Sequence, residues 1–183
     1  MVERARHKRR LPALTVRARP GEPRQGLIRI GPLVLRCALG KGGLSTFKRE
    51  GDGATPVATM RIVTGYFRRR GSVAPNTPMG LRPIGERLGW CDAQADRNYN
   101  RPVKLPYPAS AERMQRDDRL YDVCLVLDWN LRPRRRGAGS AIFLHLARPG
   151  YLPTEGCVAV SARDMARLLP HLKAGRQLEV KRG

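Results

Sequence analysis

Apolar residues along this chain come in short runs separated by Gly and Pro, a spacing that suits strands and turns better than long helices. From Gly26, the segment L-I-R-I-G-P-L-V-L-R-C-A-L-G holds two such runs broken at Gly31-Pro32, a hairpin signal. After the Gly40–Gly43 turn, Leu44 to Arg49 reads as a strand, and Met60 to Thr64 as another. Between them K-R-E-G-D-G-A-T-P (Lys48–Pro56) is too rich in Gly and Pro for regular structure and reads as an ordered loop. Residues 65–110 lack periodicity, and a long irregular stretch of that kind either builds part of a binding site or is disordered. Ser110, Glu112 and Met114 predict the start of a short helix. Tyr121 to Asn130 reads as a buried strand, Arg132–Gly139 as a basic turn, and Ala141 to Leu144 as a strand that ends on His145. Gly156-Cys157 opens a further strand, Val158 to Val160. Ser161 then caps a helix carrying Met165, Leu168, Leu169 and Leu172 at helical spacing and closing at Lys173-Ala174-Gly175; Gln177 to Val180 is a last strand.

No internal repeat and no strand–helix alternation appears, so the pattern predicts a mainly-β, sandwich or barrel-like domain with one or two short helices. Residues 1–25 are basic and punctuated by Pro12, Pro20, Gly21 and Pro23. They read as a flexible arm ahead of a single domain spanning 26–183.

Charge changes the picture more than composition does. The 183 residues carry a net charge of +21, with basic clusters at Arg4–Arg10, Arg68–Arg70 and Arg132–Arg136. Such a surface attracts polyanions, whether nucleic acid, an anionic membrane face or an acidic wall polymer. Aromatics are only 5% of the chain, and it lacks both interleaved aromatic platforms and a zinc or helix-turn-helix signature, which argues against nucleic acid. No apolar run reaches the ~18 residues of a membrane span. The basic N-terminus is followed by a short apolar piece broken by Pro12 and Arg17, which is not the pattern of a secretory signal. The four cysteines are scattered without C-x-x-C spacing; Cys37 and Cys124 read as core thiols, and no ligand set for a metal is present.

His145 at the end of one strand and Cys157 at the start of the next can be brought face to face by the loop between them. A thiol beside an imidazole is a nucleophile with its base, the His lowering the thiol pKa, and Gly156 leaves backbone N–H groups open to a developing oxyanion. The competing reading is a small buried hydrophobe with no chemistry.

Several motifs together resemble a known family. Lys48–Pro56, Asn98-Tyr99-Asn100, Asp128-Trp129-Asn130, Gly139–His145 and Pro153–Ser161 stand in the order found in the L,D-transpeptidase catalytic domain, also called the YkuD domain. The resemblance covers about residues 26–181. It implies a mostly-β domain acting on the stem peptides of bacterial peptidoglycan in the periplasm or envelope, without metal or cofactor. Cys157 would be the nucleophile, His145 its base and Gly156 part of the oxyanion site; Thr154, Glu155, Tyr99, Asn100, Ser140 and Arg148 would line the substrate. Two positions depart from the family pattern. Glu155 stands where a His usually precedes Gly-Cys, and Ala159 where an Arg or Asn usually follows. The His-to-Cys spacing is also short. The resemblance implies cross-links of either the 3-3 type, through diaminopimelate, or the 1-3 type, through L-Ala. Hydrolysis of the same bonds and non-catalytic wall binding are the alternatives.

Overall fold

The computed structural model describes residues 13–182. Its strands are β1 (Leu14–Arg19), β2 (Glu22–Ile30), β3 (Leu33–Ala38), β4 (Leu44–Ser45), β5 (Thr55–Pro56), β6 (Thr59–Phe67) and β7 (Arg82–Pro83). There follow β8 (Leu88–Cys91), β9 (Arg101–Lys104), β10 (Ala111–Arg113), β11 (Val123–Leu127), β12 (Phe143–Leu146), β13 (Val158–Val160) and β14 (Gln177–Lys181). The main sheet runs β11-β12-β13-β3-β2-β1-β14-β6-β7, and an additional pairing of β11 with β6 closes it on itself. Closure turns the sheet into a barrel and removes the open edges a flat sheet would expose.

Period-2 alternation decides which side chains fill the barrel. In β6 Met60 and Ile62 are buried while Thr59, Arg61 and Val63 are exposed; in β2 Ile28 and Ile30 are buried between exposed Leu27 and Arg29. These residues join Leu14, Val16, Leu125, Leu127, Leu144, Val158 and Val180 in one core. The single α-helix among the described residues, α1 (Ala162–Leu168), adds Met165 and Leu168, and the 3-10 turn after it adds Leu169. Ser161 Oγ accepts from the Asp164 N–H at 3.1 Å, the cap expected from the sequence. The helix stops sooner than the Gly175 signal suggested, because Pro170 cannot continue it.

β11 is buried on both faces, for a reason that places the site. Val123, Leu125 and Leu127 point into the barrel, whereas Cys124 and Val126 point outward into a second cluster with Tyr66, Trp90, Met114, Tyr121, Phe143 and Cys157. That outer face is where a small three-stranded sheet, β10-β8-β9, supplies Trp90. On β12, Leu144 and Leu146 face the core while Phe143 faces the outer cluster; by the same alternation His145 is on that outer side.

Two expectations are corrected. The arm expected over residues 1–25 is strand from Leu14 onward: β1 pairs in parallel with β14 and antiparallel with β2. Its arginines, Arg17 and Arg19, are exposed after the fully buried Leu14 and Val16, so basic composition hid a strand. Residues 1–12 lie outside the described residues. The helix expected from Ser110 is instead β10, because Ala111–Arg113 pair across to Gly89–Cys91. The strand read over Leu44–Arg49 shortens to Leu44–Ser45, and that over Tyr121–Asn130 to β11. Among the described residues no helix is long and apolar enough to cross a membrane.

If β1 belongs to the barrel, Leu14→Ala lowers unfolding stability by about 2–5 kcal/mol. Urea denaturation measures this, and a change under about 0.5 kcal/mol would return the segment to a loose arm.

Candidate active site

β12 and β13 are parallel neighbours, with His145 opposite Ala159 in register. The chain leaves β12 after Leu146 and returns through Thr154–Cys157, which brings the Cys and His to one cavity of about 380 Å³. The lining includes Cys157, His145, Thr154, Glu155, Ser140 and Arg148 from the sequence-based set, together with Glu50, Asp92, Glu112, Arg116 and Tyr121.

The nucleophile segment is held from several sides. Thr154 Oγ1 donates to the Cys157 carbonyl at 2.7 Å and accepts from the Gly156 N–H at 3.1 Å. Thr55 Oγ1, at the end of the Lys48–Pro56 loop, donates to the same carbonyl at 3.3 Å and accepts from the Gly40 N–H at 2.8 Å. Gly156 sits at φ +126°, and a Cβ there would lie 2.8 Å from the Ala54 carbonyl oxygen, so only glycine fits between the loop and the cysteine. Inside the loop Asp52 ties its turn by accepting from Lys48 Nζ and from the Arg49 and Ala54 N–H groups. A loop that reads as architecture in the sequence is therefore what seats Cys157.

The sulfur is clamped as well. Cys157 Sγ donates to the Ala141 carbonyl at 3.1 Å and accepts from the Phe143 N–H at 3.3 Å. Ala141 has φ +52°, and its N–H donates to Asn100 Oδ1 at 3.1 Å. Asn100 Oδ1 also accepts from Trp90 Nε1 at 3.0 Å, while Nδ2 donates to the carbonyls of Trp129 and Asn130 at 3.1 and 3.0 Å. Asn100 is thus fully occupied and buried, and it is not among the cavity-lining residues. Tyr99 is also absent from that lining; its phenol donates to Glu50, and it forms part of a separate recess.

His145 is 4% exposed, and its ring packs edge-on to Tyr121 with centroids 5.2 Å apart. Nδ1 lies 2.8 Å from the Leu146 carbonyl oxygen, which can only accept. Nδ1 therefore carries the proton in the neutral ring and leaves Nε2 as the basic nitrogen. Tyr121 donates to Glu112 Oε1 at 2.8 Å, and Arg116 Nη1 reaches the same oxygen at 3.0 Å.

Electrostatics at rest run opposite to the expected thiolate. Burial, then the Glu112 charge, push the Cys157 thiol up to about 12, against the lowering effects of the Phe143 N–H and Lys48. Burial pushes the imidazole of His145 down to about 4, outweighing its bond to Leu146. The free site thus holds a neutral thiol and a neutral imidazole. The expectation that His lowers the thiol pKa fails because no positive ring survives this burial. The oxyanion role expected of Gly156 is modified too, since its N–H already donates to Thr154.

Glu112, Arg116 and Tyr121 were missed in the sequence. Glu112 lay in the stretch read as a helix, and only the β8–β10 pairing carries it over the cavity. Glu155 was expected to line substrate; it stands at the rim, 78% exposed, in an ion pair of 2.7 Å with Lys41. All four cysteines are free, and among the described residues no group of His, Cys, Asp and Glu could hold a metal ion.

The family model described as the L,D-transpeptidase catalytic domain matches residues 20–180 of the chain. Among solved structures, L,D-transpeptidase 1 of Mycobacterium tuberculosis is similar at 13% identity and a TM-score of 0.40, over 93% of this chain and 62% of that one. The chain therefore spans less than two thirds of the length of that protein. No curated protein matches it in sequence.

The neutral resting pair sets a pH profile. With the thiol near 12 and no His titration above about 4, iodoacetamide alkylation of Cys157 rises roughly tenfold per pH unit between about pH 6 and 9. A plateau in that window, the mark of a thiolate–imidazolium pair, would contradict the burial argument.

Proposed function

Because the chain belongs to the L,D-transpeptidase catalytic-domain family, we propose that it transfers acyl groups between peptidoglycan stem peptides through a thioester on Cys157. The observation that carries this reading is the shared cavity, in which a clamped Cys157 and a His145 with a free basic nitrogen both line space for a peptide.

Chemistry starts from the neutral pair. As Sγ attacks the carbonyl carbon of an L-centre joined to a D-residue, the S–H proton leaves the Ala141 carbonyl for His145 Nε2. The carbonyl oxygen takes negative charge and is held by backbone N–H groups of the 156–157 segment; that of Gly156 turns from Thr154 to do so. The C–N bond then breaks, the imidazolium gives its proton to the departing amine, and the thioester remains. An acceptor amine attacks this thioester, loses its proton through His145, and releases the thiol. Water in place of the amine gives hydrolysis instead.

Arg148 and Arg116 on the cavity wall suit a stem carboxylate and supply the cation that Ala159, in place of Arg, does not. Cross-links of the 3-3 and the 1-3 type both follow from this chemistry, since a stem offers two L-to-D junctions. The substrate places the working enzyme in the cell envelope.

Mass spectrometry of disaccharide-tetrapeptide incubated with the protein and with Cys157→Ala tests the reading. A dimer lacking one D-Ala is the 3-3 product, and a dimer joined through L-Ala is the 1-3 product. Cleaved monomer alone indicates the hydrolase. No difference from the variant would return Cys157 to the core and leave only wall binding.

A further inference from the structure

The arginine turn is absent from the lining of the catalytic cavity. With Arg97 and Tyr99 it encloses a second recess of about 180 Å³, lined by Asp96, Arg97, Tyr99, Arg134 and Arg136.

The turn is fixed from beneath. Asn130, at φ +51°, accepts from the Arg135 N–H at 2.8 Å and donates to the carbonyls of Arg135 and Gly139, each at 2.9 Å. Trp129 Nε1 donates to the Ala138 carbonyl at 2.8 Å, and the Gly137 carbonyl accepts from the Glu50 N–H at 2.8 Å. Arg134 Nη1 donates to the Tyr99 carbonyl at 3.0 Å. These bonds lock the backbone and leave the guanidinium groups of Arg97 and Arg136 exposed.

Among the described residues none of Arg97, Arg101, Arg134 or Arg136 makes an ion pair. The one carboxylate in the recess, Asp96, accepts on a single oxygen from the Asn98 N–H at 2.6 Å and the Tyr107 hydroxyl at 2.8 Å; these bonds, and then the Arg97 charge, hold its pKa below the ordinary value. Arg101 is close enough that its charge, after burial, lowers the Arg134 pKa. Three arginines around one carboxylate leave the recess with an excess of positive charge that a bound anion offsets. Their planar forks match carboxylates in particular.

Tyr99 joins the recess to the catalytic cavity, because its phenol donates to Glu50 and Glu50 lines that cavity. We propose that the recess is a second binding site, which grips carboxylates of the acceptor stem peptide and holds it beside the Cys157 thioester. This rests on the transpeptidase reading above. It also gives the Asp128-Trp129-Asn130 motif a task, since Trp129 and Asn130 build the platform.

The test uses Arg97→Gln/Arg136→Gln, which spares Arg134 and its bond to Tyr99. Two quantities are read: the rate of acyl-enzyme formation from donor alone, by intact mass, and the acceptor concentration that half-saturates dimer formation. The expected result is wild-type acylation with a half-saturating acceptor concentration raised roughly tenfold or more, and a shallower dependence on salt. An unchanged acceptor requirement overturns the proposal, and so does acylation falling in parallel, which would assign the turn to the donor or the fold. Loss of affinity for a short DNA duplex with no change in acceptor requirement would make the recess a phosphate site and overturn it too. If the wild-type protein forms no acyl-enzyme, the thioester reading fails first and the acceptor site with it.

Discussion

Four hydrogen bonds on one buried carboxamide, that of Asn100, tie together segments far apart in the chain. They join Trp90 on the small sheet, the carbonyls of Trp129 and Asn130 after β11, and the Ala141 N–H before β12. Asn100 and Ala141 both have positive φ, at 56° and 52°. Asn tolerates that region through local hydrogen bonds, whereas Ala pays about 1–2 kcal/mol for it and stays only where its surroundings insist. The strained Ala141 carbonyl is the acceptor of the Cys157 thiol. Thus the position of the sulfur depends on a residue that is absent from the lining of the cavity.

A second constraint is burial. The chain carries +21 overall, yet the catalytic cavity is lined by Glu50, Asp92, Glu112 and Glu155 against Arg116 and Arg148. Carboxylates near a buried thiol oppose a thiolate, and a buried ring opposes an imidazolium, so both groups rest neutral. In the proposed reaction proton transfer then accompanies attack. A thiol whose pKa is raised in this way reacts slowly with small electrophiles at neutral pH. Among the described residues many arginines, such as Arg17, Arg29, Arg97 and Arg136, are exposed away from the cavity lining, where they can steer an anionic polymer without charging the nucleophile.

The β-rich class was legible because short apolar runs bounded by Gly and Pro, such as Met60–Thr64, are local signals. A barrel-like form was among the expectations, but the pairings that close it were not legible, since β11 must find β6 and β1 must find β14, which no local pattern encodes. Cys157 and His145 were legible because they flank apolar runs joined by a short loop. The partners of that pair were not. Thr55 reaches the Cys157 carbonyl across 102 positions, and Glu112 reaches the cavity only through a strand that looked helical. Asn98-Tyr99-Asn100 was picked out as a motif, but Asn100 carries scaffold instead of lining the cavity, and Tyr99 lines the second recess. Basic composition hid β1, whose alternation of Leu14 and Val16 is short enough to pass for chance.

The central claim is that Cys157 carries the acyl group and His145 moves its proton. Intact-protein mass spectrometry during incubation with disaccharide-tetrapeptide, run beside Cys157→Ala and His145→Ala, tests it directly. The account predicts a covalent stem-peptide adduct on the wild-type protein, none on Cys157→Ala, and one forming at least about a hundredfold more slowly on His145→Ala. An adduct that persists on Cys157→Ala, or forms at an undiminished rate without the imidazole, would contradict it.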